Sequence, residues 1–200
     1  MKRSKSIRLA CMVAVGVVAA SANADVYTFQ PYPVDLFDLE HSKYYTWKID
    51  FSPPSGETIT DAGLFFDNIR NYNSSDNELF VSLLPGSWLW DGLAEFDDTL
   101  PGHDDDNGLY TGHVPLITYT LPDYATDQTY NFSSSEIGML NTYVSLDGNF
   151  GIGFDPDCHF YNDGVTLTIE TAHAPVPGAV LLGSIGLSCS GWLLRKRRML

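Results

Sequence analysis

Three stretches of this chain carry residues whose types and spacing suit chemistry. The first is Asp104-Asp105-Asp106-Asn107-Gly108. Hard carboxylate oxygens on a glycine-containing loop are what Ca²⁺ requires, and adjacent carboxylates otherwise repel one another. The stretch lacks the spaced D-x-[DN]-x-[DN]-G order and its closing Glu. A solvated acidic loop is therefore the leading expectation, with calcium ligation by Asp104, Asp105 and Asp106 the alternative. The second stretch, Phe154 to Gly164, gathers Asp155, Asp157, Cys158, His159 and Asp163 into one connection. A thiolate with an imidazole suits zinc, or a nucleophile with its base, and Asp155 and Asp157 are candidate metal ligands. Consecutive side chains on extended backbone point to opposite faces, however. Cys158 and His159 are thus expected to diverge, and a structural role is favoured. The third stretch is Trp88-Leu89-Trp90-Asp91-Gly92. Trp88 and Trp90 suit stacking on sugar rings, although alternating aromatics are equally the material of a sandwich core.

Catalytic signatures are absent: there is no G-x-S-x-G, no H-E-x-x-H, no glycine-rich phosphate loop and no helix-turn-helix pair. Glu95, Asp97 and Asp98 resemble a glycosidase carboxylate pair, but among 25 acidic residues chance proximity is the better account. The chain is expected not to be an enzyme.

The elements that must position these residues read as mainly β. Lys43 to Phe51 alternates, with Tyr45, Trp47, Ile49 and Phe51 on one face and Tyr44, Thr46, Lys48 and Asp50 on the other. Further strands are expected at Thr58–Phe66, Glu78–Leu84, Leu116–Leu121 and Gln128–Phe132. Asn149–Phe154 and Val165–Thr171 are expected to form a hairpin around the second stretch. Ser133-Ser134-Ser135-Glu136, followed by Ile137, Leu140, Tyr143 and Val144, has a capping box and helical spacing. It predicts one short helix ending near Asp147-Gly148. Trp88 to Val114 is polar and Asp-rich, which suits a long loop with at most one short strand. The expected fold is an antiparallel β-sandwich, jelly-roll-like, with one helix.

Charge is sharply partitioned. Between Asp25 and Ala174 only Lys43, Lys48 and Arg70 are basic, against all 25 acidic residues, a balance of −22. Such a surface repels phosphate backbones and excludes nucleic acid as a partner. The other basic residues lie at the two ends. Lys2, Arg3, Lys5 and Arg8 precede an apolar run and Ala22-Asn23-Ala24, the pattern of a secretory signal over 1–24 cleaved after Ala24. Cys11 leaves with that signal and Cys189 lies in the final apolar run. Cys158 alone remains in the domain, 25–174, so no internal disulfide is available.

The last segment, 175–200, runs from Pro175-Val176-Pro177-Gly178 through 16 apolar or small residues, Ala179 to Leu194, to Arg195, Lys196, Arg197 and Arg198. As a helix that run would span about 24 Å, short of the ~30 Å hydrocarbon layer, with Trp192 and the arginines able to extend its reach. Basic residues at both ends place both ends in the cytoplasm and the acidic domain outside. The Pro-x-Pro-Gly motif, apolar span and basic cluster together resemble the PEP-CTERM sorting signal of Gram-negative bacteria, with Val176 where that motif has its Glu. The resemblance implies a processing enzyme of the exosortase type, passage through the inner membrane, and a place in the cell envelope or extracellular matrix of bacteria that make exopolysaccharide. It also implies a secreted surface protein, of a kind usually without assigned activity. A lectin-like carbohydrate-binding module is the alternative function, and a secreted hydrolase is the least favoured.

Overall fold

Tyr45, Trp47 and Ile49 of β2 (Lys43–Asp50) are buried side by side in the main core, as their alternation predicts. The computed structural model that shows this describes residues 24–75, 77–98 and 112–173. The expectations for 1–23, for Asp104, Asp105 and Asp106, and for the tail from Pro175 onward lie outside the described residues.

Two five-stranded antiparallel sheets enclose that core. In the first, β1 (Ala24–Phe29), β10 (Gly164–His173), β3 (Glu57–Asn71) and β7 (Thr126–Asn131) lie in that order, and β9 (Phe160–Tyr161) pairs with the end of β3. In the second the order is β5 (Leu93–Asp97), β2, β8 (Asn149–Pro156), β4 (Glu78–Pro85) and β6 (Val114–Thr120). Phe66 of β3 meets Phe154 of β8 and Tyr119 of β6 edge to face, at 6.0 and 5.7 Å between centroids, joining the sheets. The helix α1 (Ser134–Asp147) starts and stops where its sequence directs. The Ser133 hydroxyl accepts from the Glu136 N–H, the Glu136 carboxylate accepts from the Ser133 N–H, and Gly148 ends the helix at φ 69°.

Three expectations are revised. The strands at Asn149 and Val165 form, but they are not a hairpin: β8 pairs with β2 and β4, whereas β10 pairs with β1 and β3. Both are interior strands, so each finds two partners in its own sheet and the connection between them crosses from one sheet to the other. β1, Ala24–Phe29, adds an edge strand that begins at the residue expected to end the signal. The third revision is β3, which continues past Phe66 through a bulge. Asp67 and Asn68 together oppose Asp127, between the registered pairs Phe66–Gln128 and Ile69–Thr126. Asn68 takes φ 49°, its N–H donates to the Asp127 carboxylate at 3.1 Å, and its amide donates to Asp163 at 2.9 Å. Asparagine tolerates this left-handed backbone better than most residues. The extra residue changes the parity of the strand. Ala62, Leu64 and Phe66 face the core before it, Ile69 and Asn71 after it, so Arg70 and Tyr72 turn outward.

The first sheet therefore has two distinct ends. At one, Ala24 opposes Ala172, which in turn opposes Thr58, and Glu57 opposes His173. The other carries β9 and the last residues of β3, about 40 Å away at ~3.3 Å per strand residue.

Candidate functional site

At the second end, β3 and β9 form a two-stranded ribbon. Arg70 is registered against Tyr161 and Asn71 against Phe160, and the Tyr72 N–H donates to the His159 carbonyl at 2.9 Å. Asn71 and Phe160 are buried, so the alternate residues Arg70, Tyr72, His159 and Tyr161 share the outward face. Their side chains touch one another as a four-membered patch. The Arg70 guanidinium lies 5.1 Å from the centre of the Tyr161 ring; His159 lies 4.4 Å from Tyr161 and 6.1 Å from Tyr72. Tyr72 is 63% exposed.

Buried amides hold the ribbon in place. The Asn71 N–H donates to the Pro122 carbonyl at 2.8 Å, its side chain donates to the Ser75 carbonyl at 3.0 Å, and it accepts from Asn77 at 3.1 Å. The connection from β1 to β2 supplies the fifth member. Leu36, Phe37, Asp38 and Leu39 all have positive φ, between 35° and 58°. Left-handed backbone costs about 1–2 kcal/mol per such residue. Complete burial of Leu36 and Leu39, worth about 1.5–3 kcal/mol each, offsets a large part of it. This turn delivers Glu40, whose carboxylate lies 3.4 Å from His159 Nδ1 and whose N–H donates to the Tyr45 hydroxyl at 2.9 Å.

Electrostatics distinguish Arg70 from the other two cations of the domain. Lys43 bridges Glu95 and Asp97 at 3.0 and 2.7 Å, and these contacts, Asp97 first, hold its pKa above the usual lysine value. Lys48 contacts Asp91 at 2.7 Å and is likewise raised, while Asp91 and Asp97 are lowered by their lysines. Among the described residues no carboxylate lies within ion-pair distance of Arg70. Its partner is a ring.

Comparison with models of known protein families finds no match. No curated protein matches the chain in sequence.

The residues singled out in the sequence are dispersed. Asp155 is buried on the face of the second sheet turned away from the core, in a polar row with Thr46 and Ser82, which flank Gly153. Asp157 accepts from the Glu78 N–H at 2.6 Å, and burial pushes its carboxyl above the usual carboxylate range. Among the described residues no three His, Cys, Asp or Glu side chains gather as a metal would need. Cys158 and His159 diverge as expected, Cys158 packing against the main core and His159 facing Glu40 and the two tyrosines. Trp90, 70% exposed, packs edge-on against Phe96, which stacks on Tyr44 at 4.9 Å. Trp88 ends a short 3₁₀ turn and makes no ring contact with Trp90, so the two tryptophans do not form one platform. Glu95 and Asp97 are occupied by Lys43 and do not face each other across a cleft.

The patch at Arg70 escapes a reading by motif, since its members lie about 90 positions apart and meet only through the bulge. One signal was present: Arg70 is the only arginine between Arg8 and Arg195.

Proposed function

We propose that this chain is an exported, non-enzymatic surface protein, sorted through its C-terminal tail to the cell envelope and associated there with exopolysaccharide. The observation that carries this reading is the pairing of Ala24 with Ala172. The segments expected to engage the membrane, 1–24 and 175–200, then leave the domain from neighbouring strands at one end of one sheet. That arrangement suits a precursor held at both termini by the inner membrane, and an exosortase-type enzyme would meet the tail beside the membrane.

The architecture favours a jelly roll. With β5 and β9 set aside, the orders β1-β10-β3-β7 and β2-β8-β4-β6 are those of two Greek keys wrapped into facing sheets, a frame widely used for binding. An open groove of about 560 Å³ lies between the Ser52–Glu57 turn and α1; in it the Glu57 carboxylate accepts from the Thr171 hydroxyl at 2.5 Å and lies 3.8 Å from His173. Among the described residues no helix is long and apolar enough to cross a membrane, and the expected spans fall outside them.

Intact-mass measurement on protein recovered from its native host tests the proposal. The expected mature chain starts at Asp25 and ends between Ala174 and Pro177. A cytoplasmic product retaining residues 1–24 would refute it.

A further inference from the structure

We infer that Arg70, Tyr72, His159 and Tyr161 form a binding site for a carboxylate-bearing sugar, a uronic acid unit of a polysaccharide. This deepens the proposed matrix association by naming the site and the ligand chemistry, and it rests on that reading only for the source of the glycan.

Charge supplies the first argument. In a domain with a balance of −22, an exposed cation is expected to collect a carboxylate, as Lys43 and Lys48 do. Arg70 is exposed and has none among the described residues, although Asp67 and Asp163 are close in sequence or across the strands. The guanidinium is instead laid against Tyr161. A guanidinium held over a ring by cation–π attraction keeps N–H donors for bidentate contact with a carboxylate. His159 is engaged with Glu40, so that carboxylate is tied to its own partner.

Shape supplies the second. Tyr72, His159 and Tyr161 put three rings on one face of a ribbon, with adjacent centroids 4.4 to 6.3 Å apart. Aromatic rings accept the C–H face of a pyranose much as they accept other apolar surface, and do so with little side-chain entropy to lose. A run of acidic peptide lacks such faces.

Position supplies the third. The patch lies at the end of the first sheet opposite Ala24 and Ala172, about 40 Å along β3. While the precursor is held through its termini, this end points away from the membrane.

The test is calorimetric titration of the full-length protein, held in detergent, with a galacturonic acid tetrasaccharide, a galactose tetrasaccharide and hexaglutamate. The uronate is expected to bind, the neutral sugar at least about tenfold more weakly, and hexaglutamate not measurably. Arg70→Gln is expected to erase the preference for the acid, whereas Tyr72→Ala weakens both sugars. Both side chains are exposed, so both variants should melt with the wild type. Absence of uronate binding, equal binding of the two tetrasaccharides, or a preference that survives Arg70→Gln would overturn the assignment. Tight hexaglutamate binding would reassign the patch to acidic peptides. A chain that is sorted as proposed yet binds no sugar would sink this inference alone, because sorting is read from the mature mass.

Discussion

Phe66 of β3 and Phe154 of β8 meet edge to face across the interior, ring planes 89° apart, and neither is exposed to solvent. This contact joins the middle strands of the two sheets. Phe154→Ala is expected to destabilise the domain by about 3–5 kcal/mol through lost burial and the cavity left behind. Phe154→Leu should cost markedly less. Denaturant unfolding of the two variants measures the difference.

Gly86, at the turn after β4, lies against Asn149. A methyl group there would fall 1.7 Å from the Asn149 side-chain oxygen and 2.8 Å from its backbone carbon. The side chain can rotate away, but the backbone carbon cannot. Gly86→Ala should therefore cost about 1–3 kcal/mol in the same unfolding experiment. Trp90 fluorescence should change as well, because the turn and the Trp90 segment are continuous.

The helix cap offers a smaller, local effect. Ser133→Ala removes the acceptor for the Glu136 N–H and should cost about 1 kcal/mol. Ser133→Thr retains that acceptor and should cost less.

Asp157 gives the pH dependence. Burial raises its folded pKa, partly offset by the Glu78 N–H, while the unfolded value lies near ~3.9. A raised folded pKa means that the protonated group favours folding. The contribution is complete below the unfolded value and is lost as pH rises through the folded one. Asp157→Asn keeps an acceptor for Glu78 without burying a charge. The variant should melt above the wild type at pH 7, and the gap should close as pH falls below about 4. A gap that widens on acidification would contradict the assignment.

The tyrosines titrate unevenly. Burial pushes Tyr44 and Tyr45 up to about 12, and Tyr45 is partly offset by the Glu40 N–H. Tyr130 is raised as well, by burial and by its 2.7 Å hydrogen bond to Glu136. Spectrophotometric titration of the native protein should show a subset of the tyrosines ionising only near or beyond pH 12.

Much of the frame was legible because local chemistry decided it. The alternation of Tyr45, Trp47 and Ile49 fixed which face of β2 meets the main core, although Tyr44 and Thr46 on the other face are buried too, and Ser133, Glu136 and Gly148 bounded the helix. Strand pairing was harder to read, since it depends on partners far along the chain. β8 and β10 are neighbours in sequence, but each satisfies its edges in a different sheet. The patch was least legible. Asp67 and Asn68 look like any polar pair until Asp127 and Asp163 hold them in a bulge, and only then do Arg70 and Tyr72 turn outward. Trp88 and Trp90, by contrast, were conspicuous by type alone, and the backbone between them keeps them apart.

The pairing of β10 has a mechanical consequence. This strand carries the C-terminal exit of the domain and lies between β1 and β3, registered with β3 along its whole length from Gly164 to His173. A load applied between the tip that bears Arg70 and the exit after His173 acts along the strands, in shear. Many ladder hydrogen bonds must then yield together. A pull applied instead between Ala24 and the same exit opens the β1–β10 pair like a zipper, one bond at a time. Removal of the segment before Asp25 would leave the domain stressed only in its stronger direction.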